Sequence, residues 1–333
     1  MLHRLMGGLG RLLIWCGAVL LLFVAYQLWG TGLDEQHHQT ELAAAFSKTI
    51  TRSLGVGISA TPTEEGLAKR LAAVNPKTAP PLVAPAEGQP VGIIEIPKIG
   101  VRKAFVQGVA KADLRKGPGH YVGTPFPGNP GNAGIAGHRT TYGAPFNRID
   151  ELVPGDRVYT YTSQGRFVYE VMPSPPERRA GPENKNWGQG WFAVPPRDVS
   201  VLDQMGDNRL TLTACHPKYS ARLRIIVQAE LVAEPAAPPA ETAGGGGESD
   251  PGQTVSEKPG NESSMISGDP GEKVPASLWG ALVVAVWLAA IGVAALRRRG
   301  SHRGWPVYVG AAVLSAFPLW LCFVHLDRFL PAY

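Results

Sequence analysis

The stretch Arg209-Leu-Thr-Leu-Thr-Ala-Cys-His-Pro-Lys-Tyr-Ser-Ala-Arg-Leu-Arg-Ile-Ile-Val227 decides the fold of this chain. Apolar and polar residues alternate up to Ala214, which is the period of a half-buried β-strand. His216-Pro217 interrupts the alternation, and a second alternating run begins at Arg222. We therefore predict a hairpin in which Cys215 ends the first strand and an arginine of the second strand returns beside it.

The same stretch resembles the signature of a known enzyme family. Residues 211–215 read Thr-Leu-Thr-Ala-Cys, and Arg224 follows nine residues after the cysteine, before Ile-Ile-Val. This is similar to the TLxTC…R signature of sortases, the cysteine transpeptidases that anchor proteins to cell walls. The Cys-His-Pro continuation looks most like class E, a branch of high-GC Gram-positive bacteria. The resemblance covers about residues 91–232 and departs from the family at Ala214, where a small hydroxyl residue is usual.

Short alternating runs from residue 91 to residue 171 indicate the fold class. Gly92–Ile96 and Arg157–Thr162 are examples, and Gly, Pro and Asp separate such runs. Many short strands with turn signals are typical of an all-β barrel or sandwich. The resemblance implies the closed sortase-type β-barrel, and residues 117–121 and 134–143 also look like class E. We expect this barrel to be flanked by one N-terminal and two C-terminal transmembrane helices.

Three apolar runs approach the ~20 residues that a helix needs to cross a bilayer. They are Leu12–Trp29, Leu278–Leu296 and Trp305–His325. The first lacks a small-residue cleavage site, so we expect an uncleaved anchor. Arg297–Arg303, between the last two runs, is the most basic loop, which predicts a cytoplasmic loop and an external barrel. The expected location is the cell membrane, multi-pass, with the catalytic domain extracellular.

These patterns divide the chain into nine segments. A Pro/Gly/Ser/Glu-rich stretch with few large apolar residues is expected to be disordered. The stalk before the barrel is expected to be partly ordered at best, with one short helix in which Leu42, Phe46, Ile50 and Leu54 recur at four-residue spacing. The segments are a cytoplasmic N-terminus (1–11), transmembrane anchor (12–31), extracellular stalk (32–90), catalytic barrel (91–232), disordered linker (233–275), transmembrane helix (276–296), basic cytoplasmic loop (297–304), transmembrane helix (305–326) and extracellular C-terminus (327–333).

Residues 173–200 form a loop that is longer than the family resemblance leads one to expect. Long loops without regular structure are often lids or binding loops. A variable surface excursion is an equal alternative. If the loop is a lid or binding loop, Trp187 and Trp191 line a substrate groove. If it is a surface excursion, they only cover the barrel.

Cys215 is the candidate nucleophile. Cys16 and Cys322 lie in apolar runs, so the polar region has a single cysteine and no internal disulfide. A lone thiol in an exported domain is a candidate reactive group, although a small buried core residue is the structural alternative. Attack on an amide also requires a proton-transfer group and a donor for the oxyanion.

The resemblance implies that His138, 77 residues before the cysteine, is the general acid and base. His216 adjoins Cys215, but neighbours on a strand point to opposite sides, and His120 has no assignable catalytic role. Arg224 would stabilise the oxyanion or hold the substrate backbone, because a guanidinium stays protonated and donates in several directions. Arg222 has the same strand parity and is its rival.

Two further residues are candidates for substrate binding, Tyr121 and Thr213. Class E sortases are associated with an LAxTG signal, and the family tyrosine in the GPGHY stretch has been linked to that preference. Tyr121 occupies this position. An aromatic residue that only packs on the barrel is the alternative.

The resemblance implies an enzyme that cleaves an LAxTG- or LPxTG-like C-terminal sorting signal of secreted proteins between Thr and Gly. A thioacyl intermediate forms on Cys215, and an amine of a peptidoglycan precursor resolves it. The alternatives are another extracytoplasmic cysteine peptidase or transpeptidase and a non-enzymatic wall-binding barrel. An L,D-transpeptidase would normally show Ser-His-Gly-Cys, which does not occur in this sequence.

The predicted partners are therefore secreted proteins, a peptidoglycan precursor and the membrane. The net charge of +5 does not indicate nucleic acid, because the arginines are scattered and several flank apolar runs. We expect no cofactor and no metal, and the thinly spread acidic residues of 91–170 give no support for a calcium site.

Overall fold

The structure is a computed structural model that describes residues 2–55, 62–178, 190–236, 269–299 and 305–330. The chain divides into two compact units. One unit comprises Met1–Gln27 and Ser267–Ala332, and the other comprises Leu28–Ile266 with Tyr333.

The larger unit is built on a single nine-stranded sheet. The strand order is β6-β5-β1-β2-β3-β4-β8-β9-β7, and an additional pairing of β6 with β9 closes the sheet. The closed barrel therefore has eight strands, and β7 pairs with the start of β9. The predicted closed, all-β barrel is confirmed. The strands are β1 (Pro90–Ile96), β2 (Val101–Gln107), β3 (Gly119–His120), β4 (Asn132–Ala136), β5 (Arg157–Thr162), β6 (Gly165–Val171), β7 (Trp191–Val194), β8 (Arg209–His216) and β9 (Leu223–Leu231).

The predicted hairpin is β8 and β9, and its two faces have different surroundings. Leu212 and Ala214 belong to the apolar cluster that fills the barrel, together with Ile225 and Val227 of β9. Residues of the opposite parity lie on the other face, where Thr213 is paired with Ile226 and Cys215 with Arg224. Ile226 belongs to a second apolar cluster that also includes Phe192 of β7. The alternation of the sequence thus separates a barrel interior from the face that carries the cysteine.

Two helices pack on the barrel, α2 (Thr31–Leu54) and α3 (Glu64–Leu71). Phe46 and Ile50 of α2 are buried in one apolar cluster with Ile93 of β1, so the predicted four-residue spacing marks a buried face. This differs from the expectation of a partly ordered stalk over 32–90. Packing of an amphipathic face stabilises these helices against the barrel wall.

The first half of α2 buries polar side chains, which the apolar spacing could not reveal. The amide of Gln39 donates to the carbonyl of Ala104 at 3.0 Å, and its oxygen accepts from the Ala104 N–H at 2.8 Å. Strand β3 pairs with β2 only at Val106 and Gln107. Gln39 therefore satisfies backbone groups of β2 on the side that β3 does not reach.

In the described part of the smaller unit there are three α-helices, α1 (Leu2–Ala25), α5 (Lys273–Arg299) and α6 (Trp305–Phe329), while α4 (Lys111–Leu114) belongs to the barrel unit. A π-helical turn, Tyr26–Gly30, follows α1. Three helical spans are long and apolar enough to cross a membrane: Leu13–Leu54, Pro270–Leu296 and Trp305–Phe329. This agrees with the three predicted spans. Residues 237–268 of the predicted linker and 300–304 of the predicted basic loop lie outside the described residues.

Candidate active site

Cys215 and Arg224 meet because the β8–β9 register places them directly opposite each other. The guanidinium Nη1 lies 3.6 Å from the Cys215 sulfur and also donates to the carbonyls of Ala221 and Leu223, at 3.3 and 3.2 Å. Arg224 is only 3% exposed, and its Nε and Nη2 have no hydrogen-bond partner among the described residues. Buried donors of this kind are costly unless something binds them. Arg222, the rival arginine, is exposed and precedes β9.

His138 reaches the same end of the sheet through a parallel pairing. Strand β4 runs parallel to β8, with Ala136 beside Thr213. The N–H of Gly137 donates to the carbonyl of Thr213 at 3.0 Å, which extends this register beyond the strand. His138 lies two residues after Ala136, and Cys215 lies two residues after Thr213. The two residues therefore stand at the ends of adjacent strands. The imidazole is buried, and its ring centre lies 5.1 Å from that of Tyr142.

The electrostatics of the site favour a neutral thiol. Burial raises the pKa of Cys215 above its ordinary value, and the positive charges of Arg224 and Arg139 act in the opposite direction. Burial is the larger effect, so a base would have to remove the proton before this sulfur could act as a nucleophile.

Arg139 is a site residue that sequence reasoning missed. It is 2% exposed, and its Nη1 lies 2.8 Å from His216 Nδ1 and 3.3 Å from the carbonyl oxygen of Cys215. Its Nη2 forms an ion pair with Asp150 at 3.0 Å. Arginine can only donate, so His216 accepts at Nδ1 and carries its proton on Nε2. The one available signal was the position of Arg139, directly after His138.

The other two histidines of the region do not face the cysteine sulfur. His216 lies on the opposite side of β8, where its ring centre is 5.5 Å from that of Trp191. His120 is fully buried, and its two ring nitrogens lie 2.8 Å from Gln107 Oε1 and from the Pro125 carbonyl. Burial lowers the pKa of His120 to about 4, which favours the neutral form of the ring.

Tyr121 and Thr213, the two predicted substrate-binding residues, are bonded to each other. Their hydroxyl oxygens are 2.9 Å apart, and both side chains are buried. Thr213 shares its strand face with Cys215. Ala214, the departure from the family pattern, packs in the barrel interior, so a hydroxyl at that position would face away from the sulfur.

Comparison with known proteins identifies the domain that carries these residues. Residues 94–232 match the sortase domain family. The chain therefore contains a sortase domain. It is 32% identical over 241 residues to sortase SrtE1 of Streptomyces coelicolor, which covers 68% of this chain and 57% of that protein. It is 34% identical over 134 residues to sortase D of Bacillus subtilis, which covers 40% and 58%.

These alignments span a little under three fifths of each of the two relatives. A crystal structure of sortase E1 from Streptomyces coelicolor with a tripeptide in the active site is 30% identical, with a TM-score of 0.38. It covers 45% of this chain and 91% of that chain. The identity to SrtE1 supports the class E resemblance.

The loop before β7 of this sortase domain contributes a cavity of about 380 Å³. Its lining includes Met172, Phe192, Val201 and Gln228. Phe192 and Gln228 have the strand parity of Arg224, so the cavity opens on the face that carries the cysteine. Trp191 packs into the barrel core instead, and Trp187 lies outside the described residues. Among the described residues, no group of three or more His, Cys, Asp or Glu side chains could hold a metal ion.

Proposed function

We propose that this chain is a sortase that cleaves a C-terminal sorting signal between Thr and Gly and transfers the protein to an amine. The observation that carries the proposal is the pair of Cys215 and Arg224, with two buried guanidinium donors available beside the sulfur. An inert wall-binding barrel has no use for such donors, because buried polar groups are normally satisfied.

The first half-reaction forms a thioacyl enzyme. His138 takes the proton of Cys215 as the sulfur attacks the carbonyl carbon of threonine. The carbonyl oxygen becomes an oxyanion and accepts hydrogen bonds from Arg224. His138 then gives the proton to the glycine nitrogen, the C–N bond breaks, and the downstream peptide leaves as an amine.

The second half-reaction reverses these roles. An acceptor amine attacks the thioester carbonyl, and Arg224 again stabilises the oxyanion. His138 takes a proton from the attacking nitrogen and returns it to the departing sulfur, so the thiol is regenerated and a new amide bond forms. We propose a peptidoglycan precursor as the source of the amine, on the class E resemblance.

The signal is proposed to be of the LAxTG type. The buried hydroxyl pair of Tyr121 and Thr213 lies on the cysteine face, and the cavity beside Phe192 offers apolar surface on that face. Alanine has a backbone N–H that proline lacks. A nearby hydroxyl acceptor would therefore favour alanine at the second position by ~1 kcal/mol, about fivefold in rate.

Ligation by the full-length protein tests the proposal. The protein in detergent micelles is incubated with an LAxTG peptide and a small amine, and the product is followed by mass spectrometry. We expect a ligated product with the wild type and none with Cys215→Ala. Hydrolysis without ligation would identify a peptidase, and absence of both reactions and of labelling of Cys215 by a vinyl sulfone would support the wall-binding barrel.

The hydroxyl of Tyr121 is tested by the ratio of kcat/KM for LAxTG over LPxTG peptides. We expect this ratio to favour alanine in the wild type and to fall about fivefold in Tyr121→Phe, which keeps the ring and loses one hydrogen bond. An unchanged ratio places the preference elsewhere, and a wild type that prefers proline contradicts the class E assignment.

A further inference from the structure

We propose that Tyr142 is a positioning residue for His138, and that helix α2 holds Tyr142 in place. The inference rests on the proposed function, because it takes His138 as the acid and base. It assigns a role to a segment before the barrel that the chemistry itself does not use.

The loop that follows His138 has an unusual backbone. Tyr142, Gly143 and Ala144 have φ angles of +49°, +69° and +43°, so three consecutive residues lie in the left-handed region. Only glycine adopts this region readily. Two non-glycine residues keep such a conformation only where surrounding contacts determine it.

Helix α2 supplies these contacts from its first two turns. The N–H of Tyr142 donates to the Thr31 hydroxyl at 3.1 Å, in a buried position. The Glu35 carboxylate lies where a side chain at Gly143 would begin, since a Cβ there would be 2.5 Å from Oε2. Glu35 is itself fully buried and paired with Lys103 at 2.8 Å. The loop is therefore fitted closely against α2.

The side chain of Tyr142 connects α2 to the catalytic histidine. Tyr142 is 2% exposed, and its ring is tilted by 40° against the His138 ring at a centre-to-centre distance of 5.1 Å. The guanidinium of Arg115 lies 5.4 Å from the centre of the same ring. Asp34 of α2 holds Arg115 through an ion pair of 3.1 Å. Backbone and side chain of Tyr142 are thus both fixed by α2.

A displaced Tyr142 would let the imidazole turn away from its working orientation. Proton transfer requires a hydrogen-bond geometry between His138, the sulfur and the leaving nitrogen. Displacements of about 1 Å at a reacting group can lower a rate by roughly a hundredfold. We therefore expect a defect in kcat, with KM little changed, when α2 loses its hold on the loop.

The test compares two variants on α2 in the full chain, reconstituted in lipid nanodiscs. Thr31→Val keeps the shape of the side chain and removes the acceptor for the Tyr142 N–H. Thr40→Val is the matched control, because Thr40 is exposed and, among the described residues, its hydroxyl bonds only to the Gln36 carbonyl of its own helix. The readouts are ligation kinetics and the imidazole ¹⁵N and ¹³C chemical shifts of His138.

We expect Thr31→Val to lower kcat about tenfold, to leave KM within about twofold and to shift the His138 signals. Thr40→Val should match the wild type in all three readouts. Tyr142→Phe keeps the ring contact and should retain more activity than Tyr142→Leu. If Tyr142→Leu does not fold, the kcat and the His138 chemical shifts of Thr31→Val alone test the positioning role of Tyr142.

The inference is overturned if Thr31→Val has the kcat and the His138 chemical shifts of Thr40→Val. The chemical shifts are read without substrate, so the two proposals can fail separately. A wild type without ligation activity would refute the proposed function, whereas unchanged His138 signals in Thr31→Val would refute only the positioning role.

Discussion

At the scale of single residues, the site combines a thiol whose pKa is raised by burial with two arginines that oppose that shift. In the proposed mechanism, Arg224 has a separate use as an oxyanion donor, because its Nε and Nη2 have no hydrogen-bond partner among the described residues. One side chain therefore affects both the ionisation of the nucleophile and the stability of the tetrahedral intermediate. These effects can be separated by reactions that form no oxyanion.

Alkylation by iodoacetamide isolates the ionisation of Cys215. Only the thiolate reacts, so the rate should rise with pH through the raised pKa and remain low at pH 7. Replacing Arg224 by Gln removes a positive charge and raises the pKa of the Cys215 thiol further. Alkylation at pH 8 should then slow by about threefold to tenfold, because one unit of pKa changes the thiolate fraction about tenfold.

The Cys215→Ala protein measures the labelling of Cys16 and Cys322, and this background is subtracted from the labelling of the other proteins. Arg224→Lys retains a charge and should restore part of the rate. Faster alkylation of Arg224→Gln at pH 8 would contradict the proposed charge effect.

His120 makes the stability of the protein depend on pH. Its pKa in the folded protein is about 4, against an ordinary value of 6.5. At pH values between 4 and 6.5, His120 binds a proton in the unfolded chain but not in the folded protein. The free energy of unfolding therefore decreases as the pH falls from 6.5 to 4, by roughly 3 kcal/mol at most. Above pH 6.5 this contribution is fully present.

The expected result is a melting temperature that drops over this interval in the wild type and drops less in His120→Gln. His37→Gln, an exposed substitution on α2, is the control and should keep the wild-type slope. Equal slopes in all three proteins would show that His120 is not the group responsible.

At the scale of elements, the β8–β9 hairpin could be predicted from alternation, and so could the return of an arginine beside Cys215. Alternation alone did not separate Arg224 from Arg222, which has the same strand parity, and the nine-residue spacing of the family signature made that choice. The pairing of β4 with β8 could not be derived from local pattern, because parallel neighbours distant in sequence leave no local signal. His138 was predicted from the resemblance alone. The roles of Arg139 and of the polar half of α2 were missed for a related reason: their partners come from other elements of the chain.

Arg139 ties the ends of β4 and β8 together, and its loss should affect stability more than that of an exposed arginine. Arg139→Met removes the ion-pair partner of Asp150 and should lower the free energy of unfolding by about 2 kcal/mol. This loss is smaller than is usual for a buried ion pair, because the Asp150 side chain is partly exposed to solvent. Urea unfolding in detergent, followed by fluorescence, measures this.

Arg148→Met removes an exposed ion pair with Glu151 and should leave the unfolding curve unchanged. A variant at Arg139 that unfolds at the same urea concentration as this control would mean that the ion pair with Asp150 contributes nothing.

At the scale of the whole molecule, three apolar helical spans and a basic loop predict how the chain crosses the membrane. Lysine and arginine in short loops favour the cytoplasmic side. A reporter inserted in Arg297–Arg303 should therefore behave as cytoplasmic, and one inserted in Gly244–Gly247 as external. Cleavage of the basic loop by protease added to intact cells would contradict this topology.

The contact between Gln39 and Ala104 also decides where a soluble version of the barrel unit should begin. A protein truncated to start at residue 91 would lose this contact and leave backbone N–H and C=O groups of β2 unpaired at an open strand edge. Such edges join the edges of other molecules and lead to aggregation. A protein that starts before Thr31 should remain monomeric, and the shorter one should not.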